Sequence, residues 1–173
     1  MKNKNFKNNN GYTLIELMLY ISLATGMLLV ISITFSTFFN SRIKNQTILE
    51  VGQEGAQVME IITQTIRNAN SVNSPVIGAN DTSLSLSVIN PLFDPTVFVL
   101  SGNEINIIEG LNPAVSLTNI SQIVVSGLSF ENLSRNLTPN TIGISFTLSH
   151  INPSGRNEYN YSRTFYGSAT LRH

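Results

Sequence analysis

Few residues in this chain have both the type and the surroundings to do chemistry, and Glu16 stands out among them. It is the only charged residue between Tyr12 and Phe39, a stretch that is otherwise almost continuously apolar. A carboxylate deep in an apolar helix costs about 2.5–3.5 kcal/mol on insertion scales, and less near the interface. Such a residue marks a functional site by default and calls for a partner. Just upstream, Gly11 follows a polar leader. Cleavage after Gly11 would give Tyr12 a new α-amino group, a cation near the membrane and four residues before Glu16. The carboxylate of one subunit would then meet the amine of its neighbour, each offsetting the other's desolvation. The plainer account of Glu16 is a carboxylate at a helix start, favoured by the dipole and reached by headgroup water. The residues alone leave both accounts open.

The remaining candidates are weaker. His150 and His173 are the only histidines, and neither has the spacing of a zinc site or a catalytic triad. They read as a solvated strand-end residue and a tail residue without partners. Asp81 and Asp94 stand alone in polar or Pro-rich segments, where aspartates cap turns. No spacing resembles an EF-hand loop, and no metal or cofactor is expected. Asn119-Ile120-Ser121, Asn132-Leu133-Ser134 and Asn136-Leu137-Thr138 fit the glycosylation pattern, but chance suffices in a chain so rich in Asn and Ser. Tyr159, Tyr161, Phe165 and Tyr166 interleave with Arg156 and Arg163, which is a possible stacking platform for single-stranded nucleic acid. The more ordinary reading of such alternation is core on one strand face and cross-strand pairs on the other. There is no Gly-rich phosphate loop and no paired-carboxylate motif, so no enzyme is expected. Without a single Cys, disulfide frameworks and thiolate metal sites are excluded.

The element that must position Glu16 is an apolar helix. About 20 apolar residues cross a bilayer as a helix, the hydrocarbon core being roughly 30 Å thick and the rise about 1.5 Å per residue. Lys2, Lys4 and Lys7 precede the span in a chain of zero formal charge, which places the N-terminus in the cytoplasm and the C-terminal bulk outside. A secretory signal peptide fits poorly, because the apolar run is too long and Phe35 to Asn40 offers no small-residue cleavage site. Beyond the span, Val51, Val58, Met59, Ile62, Ile66 and Ala69 recur at helical spacing, with Arg42, Lys44, Glu50, Glu54, Glu60 and Arg67 on a polar face. Gly52 and Gly55 weaken that segment by about 1 kcal/mol each relative to Ala, and mark a place for a bend. Asn68, Asn70, Asn73 and Pro75 stop the helix. The period then changes to two. Leu84, Leu86 and Val88 alternate with serines, and Thr96–Leu100 and Glu104–Glu109 read as a hairpin. Further strands are expected at Ile120–Phe130, Thr141–Ser149 and Glu158–Leu171, with Pro91, Pro95, Pro113, Pro139 and Pro153 in the gaps. The expected fold is α+β: a long N-terminal helix, half membrane and half amphipathic, packed on a C-terminal antiparallel sheet.

Taken together, the Lys-rich leader, Gly11, the aromatic Tyr12 and Thr13-Leu14-Ile15-Glu16-Leu17 ahead of an apolar run resemble the cleavage and methylation motif of the type IV pilin family. The resemblance covers about the first forty residues. It implies that Gly11 is the last leader residue, Tyr12 the N-methylated new terminus, and Glu16 the glutamate that docks each subunit into the fibre. Tyr12 stands where the family usually has Phe. The helix-kinking Pro of major pilins is missing, leaving Gly26 as the only breaker in the span. Looser matches at Gln57-Val58-Met59, Ile66-Arg67-Asn68-Ala69, Ile123 to Phe130 and Ala169-Thr170-Leu171-Arg172 resemble J-type minor pseudopilins and PilW-type minor pilins. The organisation this implies is a leader at 1–11, an assembly helix at 12–40, its amphipathic extension at 41–72 and an extracytoplasmic β-rich domain at 73–173. The implied partners are a prepilin peptidase and methyltransferase, other pilin or pseudopilin subunits, the inner-membrane platform with its ATPase, and the cytoplasmic membrane. Nucleic acid joins them only if the fibre serves DNA uptake. The rival reading is an anchored extracytoplasmic binding protein that never polymerises.

Overall fold

The computed structural model describes residues 11–135 and 137–172. Among the described residues one α-helix, α1 (Leu14–Asn68), is followed by nine strands. These are β1 (Ala69–Ser74), β2 (Asn80–Asp81), β3 (Ser83–Val88), β4 (Thr96–Ser101) and β5 (Glu104–Glu109), then β6 (Val115–Ser116), β7 (Ile123–Asn132), β8 (Thr141–His150) and β9 (Ser162–Thr170). The fold is α+β, and every strand pairing is antiparallel. The strands form not one sheet but two, ordered β1-β3-β4-β5-β6 and β2-β7-β8-β9. The chain divides into two compact units between Arg42 and Ile43.

The first unit, as far as it is described, is the start of α1. From Leu14 to Phe39 its apolar side chains are exposed, and the most apolar part is not buried at all. Its hydroxyls bond back to the helix itself: those of Ser22, Thr25, Thr34, Thr37 and Ser41 donate to carbonyls three or four residues earlier, at 2.7–3.0 Å. Polar groups satisfied in this way need no outside partner, which lowers the cost of placing them in hydrocarbon.

The second unit is built around the amphipathic part of the same helix. Thr47, Val51, Gly55, Val58, Ile62 and Ile66 form a buried stripe at spacings of three and four. The stripe joins one continuous core with Leu84, Leu86, Phe98 and Ile105 of the larger sheet and Ile123, Val125, Phe130, Ile142, Ile144, Phe146 and Leu148 of the smaller. Full burial of each such side chain contributes about 1.5–3 kcal/mol as an upper estimate. The strict alternation of Ser83–Val88 and Thr141–His150 is the reason those strands have one buried face. Gly102 and Asn103 close the β4–β5 hairpin with φ of 62° and 67°. Two consecutive left-handed residues make the type I′ turn that matches strand twist, which is why Gly and Asn stand there. On β7, the register slips between Ser126 and Ser129, where Gly127 has φ 62° and makes a bulge.

Several elements depart from expectation. The helix runs unbroken through Gly52 and Gly55 and ends at Asn68, not at 72. Ala69–Ser74, expected to be helical or loop, is a strand paired with Val88–Ser85. Ala69 is fully buried, and that pairing takes up backbone groups that a further helical turn would have used. Gly55 is a contact and not a bend: a Cβ there would lie inside the ring of Phe165 on β9. At Gly52 the nearest atom to such a Cβ is Arg163 Nη1, at an ordinary 3.8 Å. The strand expected from Glu158 begins at Ser162, because Asn157–Tyr159 is a short 3-10 turn. Lys44 Nζ donates to the carbonyls at its end, Asn157 O at 3.2 Å and Asn160 O at 2.6 Å. Likewise Ile120 lies outside β7, in a turn where Asn119 O accepts the amides of Gln122 and Ile123.

Candidate functional site

The start of α1 carries the residues singled out from the sequence. Gly11, Tyr12 and Thr13 precede the first helical residue, and all three are exposed. Gly11 lies outside regular structure, and no described residue comes within 4 Å of a Cβ built on it. Thr13 starts the helix. Its carbonyl accepts from Leu17 N at 3.1 Å and its hydroxyl accepts from Glu16 N at 3.3 Å. This is one half of a capping box, with Thr13 as N-cap and Glu16 at the third helical position. The glutamate side chain does not complete the box. Instead Oε1 accepts from the Tyr20 hydroxyl at 3.2 Å. Tyr20 also sets its ring edge-on to Tyr12, with centroids 6.2 Å apart and planes at 83°.

Tyr12, Glu16 and Tyr20, at intervals of four, therefore come together over about the first two turns of the helix. Among described residues up to Arg42, Glu16 is the only one that is not exposed. Glu16 lies in the first turn of α1, where the helix dipole favours negative charge. Its Oε2 has no hydrogen-bond partner among the described residues. Sequence reasoning singled out Gly11, Tyr12 and Glu16 but passed over Tyr20. The signal available was a phenol placed four residues after a carboxylate in an apolar helix. Downstream lies the helix itself, long and apolar enough to cross a membrane. The lysines at 2, 4 and 7 lie outside the described residues, as do Asn136 and His173.

The other sequence candidates are occupied in structural roles within the second unit. His150 is not a solvated histidine without partners. Its side chain is only 11% exposed, with Nε2 3.5 Å from Glu50 Oε2. Nδ1 lies 2.8 Å from the Ile151 carbonyl, which can only accept, so that nitrogen carries the hydrogen. The ring stacks on Tyr159 at 5.4 Å. The partner was invisible in the sequence because Glu50 lies far away in the chain and meets β8 only through helix packing. Lys44, Glu50 and Glu54, all read as polar-face residues, tie the helix to loops; a Glu54 carboxylate oxygen accepts the Asn119 amide. Asp81 Oδ1 accepts the Thr82 and Ser83 amides, and Asp94 Oδ1 accepts the Val88 amide, so both aspartates hold turns.

Asn132 is buried, donating to Pro75 O and accepting from Ser134 N, so it offers no glycosylation acceptor in the folded unit. The aromatic group is largely consumed by packing. Phe165 stacks on Phe146 at 5.3 Å, Arg163 lies over Phe165 and Arg156 over Tyr159. Of the set, Tyr166 alone is broadly exposed. Among the described residues no group of three or more His, Cys, Asp or Glu side chains is placed to hold a metal ion. No family model, curated protein or solved structure matches this chain.

Proposed function

We propose that this chain is a minor type IV pilin or type II secretion pseudopilin, a structural subunit and not an enzyme. A prepilin peptidase removes the leader after Gly11, Tyr12 becomes the methylated terminus, and α1 anchors the subunit until it enters or primes a fibre. The fibre serves secretion, adhesion and motility, or DNA uptake. One observation carries the reading: Glu16 sits four residues after the exposed Tyr12, at the head of an apolar helix that no other described residue covers.

A single-pass anchor explains the apolar surface but not the carboxylate at its head. In a fibre, both find partners. The exposed apolar faces of Leu17 to Phe39 pack against equivalent helices, first in lipid and then in the fibre core. The Glu16 carboxylate meets the amine created on a neighbouring Tyr12, which sets register more than bulk stability. The N-terminus faces the cytoplasm and the β-rich unit faces outward.

The test is N-terminal sequencing and intact mass of the protein extracted from membranes that contain its native peptidase. A chain beginning at Tyr12 with one methyl group on its amine is expected. A chain still carrying Met1 to Gly11 in peptidase-active cells would leave an ordinary membrane anchor and end the proposal.

A further inference from the structure

We infer that Tyr20 is a positioning residue for Glu16, holding the carboxylate ready for a cationic partner supplied by a second subunit. The inference rests on the assembly reading above and adds a residue to it. Three contacts support it. The Tyr20 hydroxyl donates to Glu16 Oε1 at 3.2 Å, one helical turn away. The Tyr20 ring meets the edge of Tyr12, the residue that bears the new amine after cleavage. The Glu16 amide is fixed by Thr13 Oγ1, which holds the glutamate backbone while Tyr20 holds the carboxylate.

The chemistry follows from what a carboxylate needs at the edge of hydrocarbon. It has about four lone-pair sites and, when ionised, accepts only. A phenol is a strong neutral donor that travels with an aromatic ring at home at membrane interfaces. By occupying Oε1, Tyr20 meets part of the carboxylate's demand without neutralising its charge. Oε2 keeps its lone pairs for an ammonium group from outside the chain. A leucine or phenylalanine at position 20 would leave the same carboxylate to turn toward water, which lowers its attraction for an amine.

The arrangement also separates recognition from anchoring. Among the described residues the Tyr20 hydroxyl bonds only to Glu16, so its loss should be silent in processing and in folding. Tyr20→Phe keeps the ring against Tyr12 and deletes only the hydroxyl, whereas Tyr20→Leu deletes both.

The experiment expresses full-length wild type and Tyr20→Phe with the native peptidase and assembly machinery, then compares three quantities. These are the processed mass, the fraction recovered in sheared fibres, and the carboxyl carbon resonance of labelled Glu16 in detergent-extracted subunits. Equal processing is expected. Fibre incorporation should fall by about fivefold, as the loss of one ordinary hydrogen bond predicts, and the Glu16 resonance should shift. Incorporation equal to wild type overturns the inference. So does reduced incorporation with an unmoved Glu16 resonance, which assigns Tyr20 a packing role only. A wild-type chain that keeps its leader would instead defeat the assembly reading itself, and it is distinguishable because Tyr20→Phe then has nothing to alter.

Discussion

At the scale of single residues, a carboxylate's behaviour depends on which donors reach it, and the chain shows two contrasting cases. Glu16 receives its own backbone capping from Thr13 and one phenol from Tyr20, and its second oxygen has no hydrogen-bond partner among the described residues. Glu158 is settled within its own loop. A backbone amide hydrogen bond holds its carboxyl below the ordinary 4.5 against the opposing effect of burial, with lesser help from the hydrogen bond and charge of Arg156 and the charge of Lys44. A depressed folded value means that the carboxylate contributes stability above the ordinary value and loses it as pH falls through the folded one. Removing this group should therefore lower stability at neutral pH and flatten the loss of stability on the acid side. In Glu158→Gln, thermal unfolding of the second unit followed by circular dichroism should match wild type at neutral pH in slope against pH. Below about pH 4.5 the mutant's decline should be the shallower of the two. Identical acid limbs would show that the loop contacts of Glu158 do not reach the folding equilibrium.

At the scale of elements, the helix carries two kinds of glycine that its sequence cannot tell apart. Gly52 and Gly55 both cost helix propensity, about 1 kcal/mol each. At Gly52 the space beside the helix is ordinary, so Gly52→Ala should recover up to about 1 kcal/mol. At Gly55 the Phe165 ring occupies the place of a Cβ, and Phe165 is itself held by stacking on Phe146. Overpacking of that kind costs about 1–3 kcal/mol, enough to outweigh the propensity gain. Gly55→Ala should thus lower stability while Gly52→Ala raises it, read by denaturant midpoints at constant slope. Gains at both positions would mean that β9 can retreat from the helix at little cost. The helix span behaves differently, because its apolar side chains are exposed. For it, length and composition are what matter, since among the described residues none of its aliphatic side chains between Leu17 and Phe39 is buried.

At the scale of the whole molecule, the chain divides between Arg42 and Ile43 into a first unit whose described apolar side chains are exposed and a second unit with a buried core. Every buried hydrophobic residue of the core lies between Val51 and Leu171. The second unit therefore contains all of its own core, with the buried helix stripe included. A fragment covering 43–173 should remain in solution, give a mixed helix and strand circular dichroism spectrum, and melt cooperatively. The full chain should partition into membranes and resist extraction by alkaline carbonate. A fragment that fails to melt cooperatively would show that the span supports the second unit's fold.

The sequence by itself determined the elements whose signal is local. The apolar run specifies a helix fit for a bilayer because its composition is uniform over the required length. The stripe at Val51, Val58, Ile62 and Ile66, and the alternation at Ser83–Val88, declare their periods directly, as does the Gly102-Asn103 turn. Gly11, Tyr12 and Glu16 could be singled out because a glycine, an aromatic and a lone carboxylate are conspicuous at the edge of an apolar run. What only the tertiary structure decided depends on atoms distant in the chain. Ala69–Ser74 is a strand because β3 is available to pair with it, and the strands divide into two sheets because the core needs both faces covered. His150 has a partner because helix packing brings Glu50 to it, and Gly55 is a glycine because Phe165 arrives from a strand more than a hundred residues away. Local periodicity is written in neighbouring residues, whereas which side chain fills which space is settled only when the chain closes on itself.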